Sequence, residues 1–343
     1  MTRATLTLKR MTALLALTAL PLSALPLIAA AETTLRVADS LPVGHFFAER
    51  GMKFWVEEVR KLTDNAIKLQ HFPAGQLGKA KDMLQLSMSG VADMSYVVPS
   101  YVSDKMPLMT VSELPGLAKT SCQGTEAFLK LAHDGLLAKR ELDPNGIVVL
   151  ISTILEPYQI YTNKPIDSLA GLQGLKLRTA GGAQAATIKA LGAVPVNMAA
   201  PETYDSLTRG TIDGVVFPTT SLIAYDLPGR LKSGTQDVSF GTVLLTYSMS
   251  KKRFQAFPEN VQQAMLAAGK TASRKVCEFL DGSAVSNRTK IESAGVKHFK
   301  LGDTDLKKLD QASDSARKEW ASQLDNRGLP GTEVLEAYLN ALE

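Results

Sequence analysis

From residue 33 onward the apolar positions follow two periods. Residues 34–38 (TLRVA) and 67–72 (IKLQHF) alternate with a period of two, as a strand with one buried face does. Residues 46–61 instead set Phe47, Trp55, Val56 and Val59 near one side of a helix. The turn 73–78 (PAGQLG) leads into a predicted helix over 79–89 that Gly90 stops, and 93–98 is the next predicted strand. A helix is predicted over 123–142 and a buried strand over 146–151. Strand 174–178, helix 183–191 and strand 194–198 follow. Pro201 and Glu202 then open a helix that Gly210 ends, and 213–217 returns as a strand. Beyond Ser250 the pattern is helical, over roughly 258–295, 303–325 and 332–342. This alternation predicts an α/β fold with mostly parallel sheets. A chain of 343 residues is long enough for about two domains. No linker or repeat interrupts it, so the chain is expected to cross between them more than once.

The first 31 residues stand apart. Arg3, Lys9 and Arg10 precede an apolar run from Met11 to Ile28, and Ala29, Ala30 and Ala31 offer a small-residue cleavage site before Glu32. That order describes a cleavable secretory signal peptide, and Pro21 and Pro26 argue against a membrane anchor. The expectation is an exported, periplasmic protein that does not itself span a membrane. Loss of Arg3, Lys9 and Arg10 leaves 35 of the 38 basic residues against 34 acids, so the formal charge of +4 supports no nucleic-acid partner. A hydrophobic fraction of 45% and a mean hydropathy of zero exclude disorder. Two cysteines, Cys122 and Cys277, exclude a disulfide scaffold; in an oxidising compartment they either pair or stay as two buried thiols.

Enzyme signatures fail one by one. Gly269-Lys270-Thr271 resembles the end of a phosphate loop, yet Ala264 stands where its first glycine belongs and the segment reads as mid-helix. No nucleophile elbow, zinc-protease, C-x-x-C, calcium-loop or dinucleotide motif occurs. His45, His71, His133 and His298 have no paired acid visible near them in sequence and read as structural or surface residues. Binding fits better than catalysis, and no catalytic residue, cofactor or metal is expected.

Residues 169–198 carry the argument for binding. Arg178 ends a strand at the carboxyl edge, where open α/β sheets receive ligands, and shares a face with Lys176. Gly181 and Gly182 follow, then a helix N-terminus whose free N–H groups suit an anion. A guanidinium there is a sound carboxylate receptor; a solvated strand-end arginine is the alternative.

A series of short motifs makes the chain resemble one family. They are 72–78 (FPAGQLG), 89–93 (SGVAD), 162–166 (TNKPI), 171–178 (GLQGLKLR), 190–196 (ALGAVPV), 201–204 (PETY) and 210–214 (GTIDG). In this order they resemble the DctP-like solute-binding subunit of tripartite ATP-independent periplasmic (TRAP) transporters over about residues 33–290. The resemblance implies two α/β lobes with interleaved chain segments, a long helix spanning both, and a cleft that closes on the ligand. Lobe I would hold 32–155 with about 243–282, and lobe II 156–242 with about 283–343. Arg178 matches the arginine that binds the ligand carboxylate, and the implied partners are the small and large membrane subunits. Tyr158, Phe217 and Val98 stand where relatives that take sugar acids place an arginine, an asparagine and a glutamate. The expected ligand is therefore a monocarboxylate with an apolar or aromatic remainder, bound by Arg178, Phe217, Tyr158, Tyr101, Phe46, Val98 and Ala200. Rival readings are a C4-dicarboxylate or keto acid on the same site, a receptor for an ATP-driven importer or a sensor kinase, and a periplasmic hydrolase. The last lacks a nucleophile–base pair in this sequence.

Overall fold

The computed structural model describes Met1, Thr2 and residues 33–343, so the signal-peptide expectation lies outside the described residues. Among the described residues eleven strands and ten α-helices follow one another in chain order. First come β1 (Thr33–Ala38), α1 (Phe54–Leu62), β2 (Ile67–Phe72), α2 (Met83–Met88), β3 (Met94–Val97), α3 (Ser121–His133) and β4 (Ile147–Ile154). Next are β5 (Gln159–Thr162), β6 (Lys176–Thr179), α4 (Gly182–Ala190), β7 (Val194–Asn197), α5 (Thr203–Thr208), β8 (Gly214–Phe217), α6 (Thr219–Ala224) and β9 (Ser233–Thr235). The chain ends with β10 (Leu244–Ser250), α7 (Lys251–Gln255), α8 (Glu259–Ser293), β11 (Lys297–Phe299), α9 (Asp303–Asp325) and α10 (Gly331–Leu342).

Two separate sheets result, ordered β2-β1-β3-β10-β4 and β11-β9-β5-β8-β6-β7. The expectation of mostly parallel sheets is corrected here. Strand β10 pairs antiparallel with both β3 and β4, and β5 pairs antiparallel with both β8 and β9, so each sheet is mixed. The chain passes from the first sheet to the second through 155–158 and back through 236–243. These crossings hold each other: the Leu155 N–H donates to the Val243 carbonyl at 3.0 Å, Tyr158 N–H to Gly241 at 2.9 Å, and Phe240 N–H to Tyr158 at 3.0 Å.

The longest helix, α8, serves both sheets. Its first half packs on the first, where the Trp55 indole donates to the Met265 carbonyl at 2.8 Å and the Ser152 N–H to Ser273 Oγ at 3.0 Å. Gly269 lies at this contact, and a Cβ there would be driven into the Leu150 carbonyl oxygen. The Gly-Lys-Thr run is thus a helix face pressed on β4 rather than a phosphate loop. The second half of α8 reaches the other sheet's helices, where Asn287 Nδ2 donates to Thr220 Oγ1 at 2.8 Å.

The predicted helix over 123–142 is broken. Helix α3 ends at His133, and a separate turn of π-helix spans Ala138–Leu142. Glu141 in that turn is buried and accepts the Leu108 and Met109 N–H groups at 2.7 and 2.8 Å, an anchor that pulls the turn off the α3 axis. Cys122 and Cys277 are disulfide-bonded, joining α3 to α8 across 155 residues. Asp281 completes the joint by capping α3, accepting the Ser121 and Cys122 N–H groups at 2.7 and 3.0 Å. A crosslink over so long a loop contributes about 2–5 kcal/mol. The double substitution Cys122→Ala/Cys277→Ala is expected to lower the calorimetric Tm by several degrees, and an unchanged Tm would show that α3 and α8 hold together without it.

Candidate functional site

Arg178 sits near the carboxyl end of β6, between β7 and β8, opposite Val196 on one side and Val215 on the other. Lys176, expected on the same face, is exposed at the strand's start, whereas Arg178 is only 1% exposed. Neutral groups hold the guanidinium. Its Nε–H donates to the Met198 carbonyl at 3.0 Å, Nη1 to the Val216 carbonyl at 3.4 Å, and Nη2 to the Tyr101 hydroxyl at 3.1 Å. The Phe217 ring lies beneath it, 4.5 Å from centroid to Cζ. Among the described residues no Asp or Glu stands within salt-bridge distance of Arg178, and two of its five N–H groups have no protein acceptor.

Tyr101 arrives from the other sheet, on the 3-10 turn Pro99–Val102 that follows β3. Its hydroxyl bridges Arg178 and Ala200, accepting from Arg178 Nη2 and from the Ala200 N–H at 2.9 Å. This approach depends on Gly181, where a Cβ would lie 2.6 Å from Ser100 Cβ. Val98 is buried and contributes its carbonyl, which accepts the Tyr101 N–H at 2.9 Å and fixes the turn. Tyr158 and Phe217 are neighbours, their rings 6.3 Å apart. Phe46 is one step removed: it packs at 4.3 Å on His45, which in turn stands 5.7 Å from Tyr225. The structure thus gathers Arg178, Tyr101, Ala200, Phe217 and Tyr158 directly, and reaches Phe46 through His45 and Tyr225.

Three features depart from the sequence reading. The N-terminus of α4 does not share a space with Arg178. It lines a separate cavity of about 340 Å³ with Ser100, Glu113, Gln184 and Trp320, a cavity that Arg178 does not line. Two histidines do have acidic partners: His71 Nε2 is 2.6 Å from Asp39 and His298 Nδ1 is 3.1 Å from Glu292. Finally, Tyr225 packs edge-on against Phe217 and His45 against Tyr225, and no local motif marks these two.

Burial dominates the electrostatics. It raises the Tyr101 phenol, against the lowering pull of Arg178 and the Ala200 N–H. It raises Tyr158 far more, again opposed by Arg178. Glu113 is pushed up to about 8 by burial, although Ser100, the Leu244 N–H and Arg178 all favour its charged form. The acid nearest in influence to Arg178 is therefore mostly protonated at neutral pH and leaves the guanidinium charge uncompensated.

Comparison with known proteins identifies the family and the fold. Residues 44–323 match the family model of DctP, described as bacterial extracellular solute-binding protein, family 7. A curated relative named outer membrane transporter protein TsaT, from Comamonas testosteroni, is 24% identical over 334 residues, covering 94% of this chain and 95% of its own. A TRAP solute-binding protein from an unidentified marine microbe, solved with 3-hydroxybenzoate, superposes with a TM-score of 0.84 at 24% identity, over 91% of this chain and 98% of its own. One from Bordetella bronchiseptica, solved with (R)- and (S)-mandelate, gives 0.81 at 23% identity, over 90% and 98%. One from Rhodoferax ferrireducens, solved with copurified benzoate, gives 0.83 at 21% identity, over 90% and 97%.

The raised Glu113 has a signed consequence. Its folded pKa lies above its unfolded value, so the folded state holds a proton that the unfolded chain has released, and stability declines as pH rises from about 4.5 to about 8. Glu113→Gln removes that dependence. The variant's Tm relative to wild type is expected to increase steadily between pH 5 and pH 8.5, and a difference independent of pH would place the Glu113 titration elsewhere.

Proposed function

The chain belongs to the DctP-type bacterial extracellular solute-binding proteins of family 7, and from that premise we propose that it is the solute receptor of a TRAP transporter for an aromatic monocarboxylate. The observation that carries the reading is the buried Arg178 guanidinium with no acidic partner. An unpaired buried charge is costly, and a ligand carboxylate that meets the two free N–H groups as a planar pair offsets that cost. Phe217 and Tyr158 beside it are neutral, and neither offers a second cation to a dicarboxylate. Neighbouring receptors of the same fold carry benzoate, 3-hydroxybenzoate or mandelate, each a single carboxylate on an aromatic body.

Mechanism follows from the two sheets and their crossings. Each sheet with its helices forms one lobe, and the segments 155–158 and 236–243 are the hinge. Arg178 and Ala200 belong to one lobe and Tyr101 to the other, so the Tyr101 hydroxyl bonds to both only when the lobes are closed. Ligand on Arg178 favours that closed form, in proportion to how much better the closed form binds it. The closed, loaded receptor is then what docks on the small and large membrane subunits from the periplasmic side, after export through its cleavable leader. The chain performs no chemistry on the solute; the family is one of receptors.

Isothermal titration of ligand-stripped protein with benzoate, mandelate, succinate, pyruvate and a sugar acid tests the ligand class. Aromatic monocarboxylates should bind at least tenfold tighter than the others; preference for succinate or the sugar acid would overturn the aromatic reading and keep the family. Arg178→Ala should cost about 2–5 kcal/mol of that binding. Arg178→Lys should recover little of it, since an ammonium cannot form the planar pair. Full affinity in Arg178→Ala would remove Arg178 from the site.

A further inference from the structure

Beyond Phe217, the same aromatic wall ends in groups that the anchoring of a carboxylate leaves unused. His45 is 4% exposed, and its Nδ1 accepts the Phe47 N–H at 3.3 Å, so the neutral ring carries its proton on Nε2. Burial holds His45 down at about 3, and the ring stays neutral throughout the physiological range. Nε2 makes no hydrogen bond to another protein group among the described residues. The His45 ring faces Tyr225 at 5.7 Å, and Tyr225 stands edge-on to Phe217 at 6.0 Å.

Tyr225 lies between two opposite influences. Its phenol is raised chiefly by burial and further by Tyr101 and Asp39, while Arg178 lowers it. Its hydroxyl has no hydrogen-bond partner among the described residues. Asp39, fully buried, is already engaged by the Tyr247 hydroxyl at 2.9 Å, His71 Nε2 at 2.6 Å and the Leu41 N–H at 3.1 Å. This end of the wall therefore offers one N–H and a phenol, both uncharged, with a carboxylate behind them.

These groups discriminate between classes of ligand. A second carboxylate would meet no counter-charge here and would face the field of Asp39. A bare ring would leave the His45 N–H and the Tyr225 hydroxyl desolvated and unpaired, which is costly in a closed site. A hydroxyl group meets both needs, since it accepts from Nε2–H and donates to the Tyr225 oxygen. We propose that the ligand is a ring-hydroxylated aromatic acid, with its carboxylate on Arg178 and its hydroxyl held by His45 and Tyr225. The proposal rests on the assignment of Arg178 as the carboxylate anchor.

The test is isothermal titration of the ligand-stripped protein with benzoate, 3-hydroxybenzoate and 4-hydroxybenzoate, repeated with Tyr225→Phe and His45→Phe. In the wild type one of the hydroxylated acids should bind about tenfold or more tighter than benzoate, the gain of pairing otherwise stranded polar groups. In each variant that ratio should fall toward one. A wild-type ratio near one overturns the proposal while leaving the carboxylate anchor in place, and this arm needs no variant to fold. A ratio preserved in both folded variants overturns the role of His45 and Tyr225. Failure of all three acids to bind the wild type overturns both the proposal and the aromatic reading beneath it.

Discussion

A guanidinium taken out of water without a carboxylate to face it is the constraint around which this molecule is arranged. Leaving Arg178 buried would cost several kcal/mol if nothing solvated its charge. The protein answers with dipoles alone: the carbonyls of Met198 and Val216, the Tyr101 hydroxyl and the face of Phe217. Two of the four are backbone carbonyls. Val216 is on β8, next to β6, and Met198 directly follows β7 on the other side, so sheet pairing itself sets the two carbonyl positions. An ionised Glu113 would compensate part of that charge internally. Burial keeps that carboxyl largely neutral instead.

The remaining architecture brings the second sheet's arginine within reach of the first sheet's tyrosine. Two antiparallel crossings and one long helix connect the halves, and each is tied down by groups that leave little slack. Gly269 lets α8 lie directly on β4, and Gly181 lets the loop after β6 touch Ser100. Glu156, within the first crossing, caps α6 by accepting the Thr220 N–H at 2.7 Å and the Thr219 hydroxyl at 3.1 Å. The disulfide and the Asp281 cap make α3 and α8 one body. The short crossing segments are where the hinge proposed above would lie.

Elements with a clear period were legible in the chain, and elements without one were not. Strands β1 and β2 alternate, and the helices after Ser250 repeat over many turns, so their positions follow from local sequence. Strands β9 (SGT) and β11 (KHF) are three residues long, too short to show a period, while β10 (LLTYSMS) alternates from Leu245 to Ser250 yet is buried on every residue, its polar side chains included. Missing β10 is what made the first sheet look parallel, because it supplies both antiparallel pairings there; β5 does the same for the second.

By itself the sequence determined the α/β class, the strand-end position of Arg178 and the absence of any local catalytic motif, since each depends on residues close together in the chain. Tertiary structure alone decided what surrounds that arginine. Tyr101 is 77 positions away from Arg178 and meets it only because the loop after β3 is folded against the other sheet. It likewise decided that Cys122 and Cys277 pair, and that the α4 N-terminus opens on a cavity of its own. Side-chain periodicity reports which face of an element is buried, but carries no information about which distant element covers it.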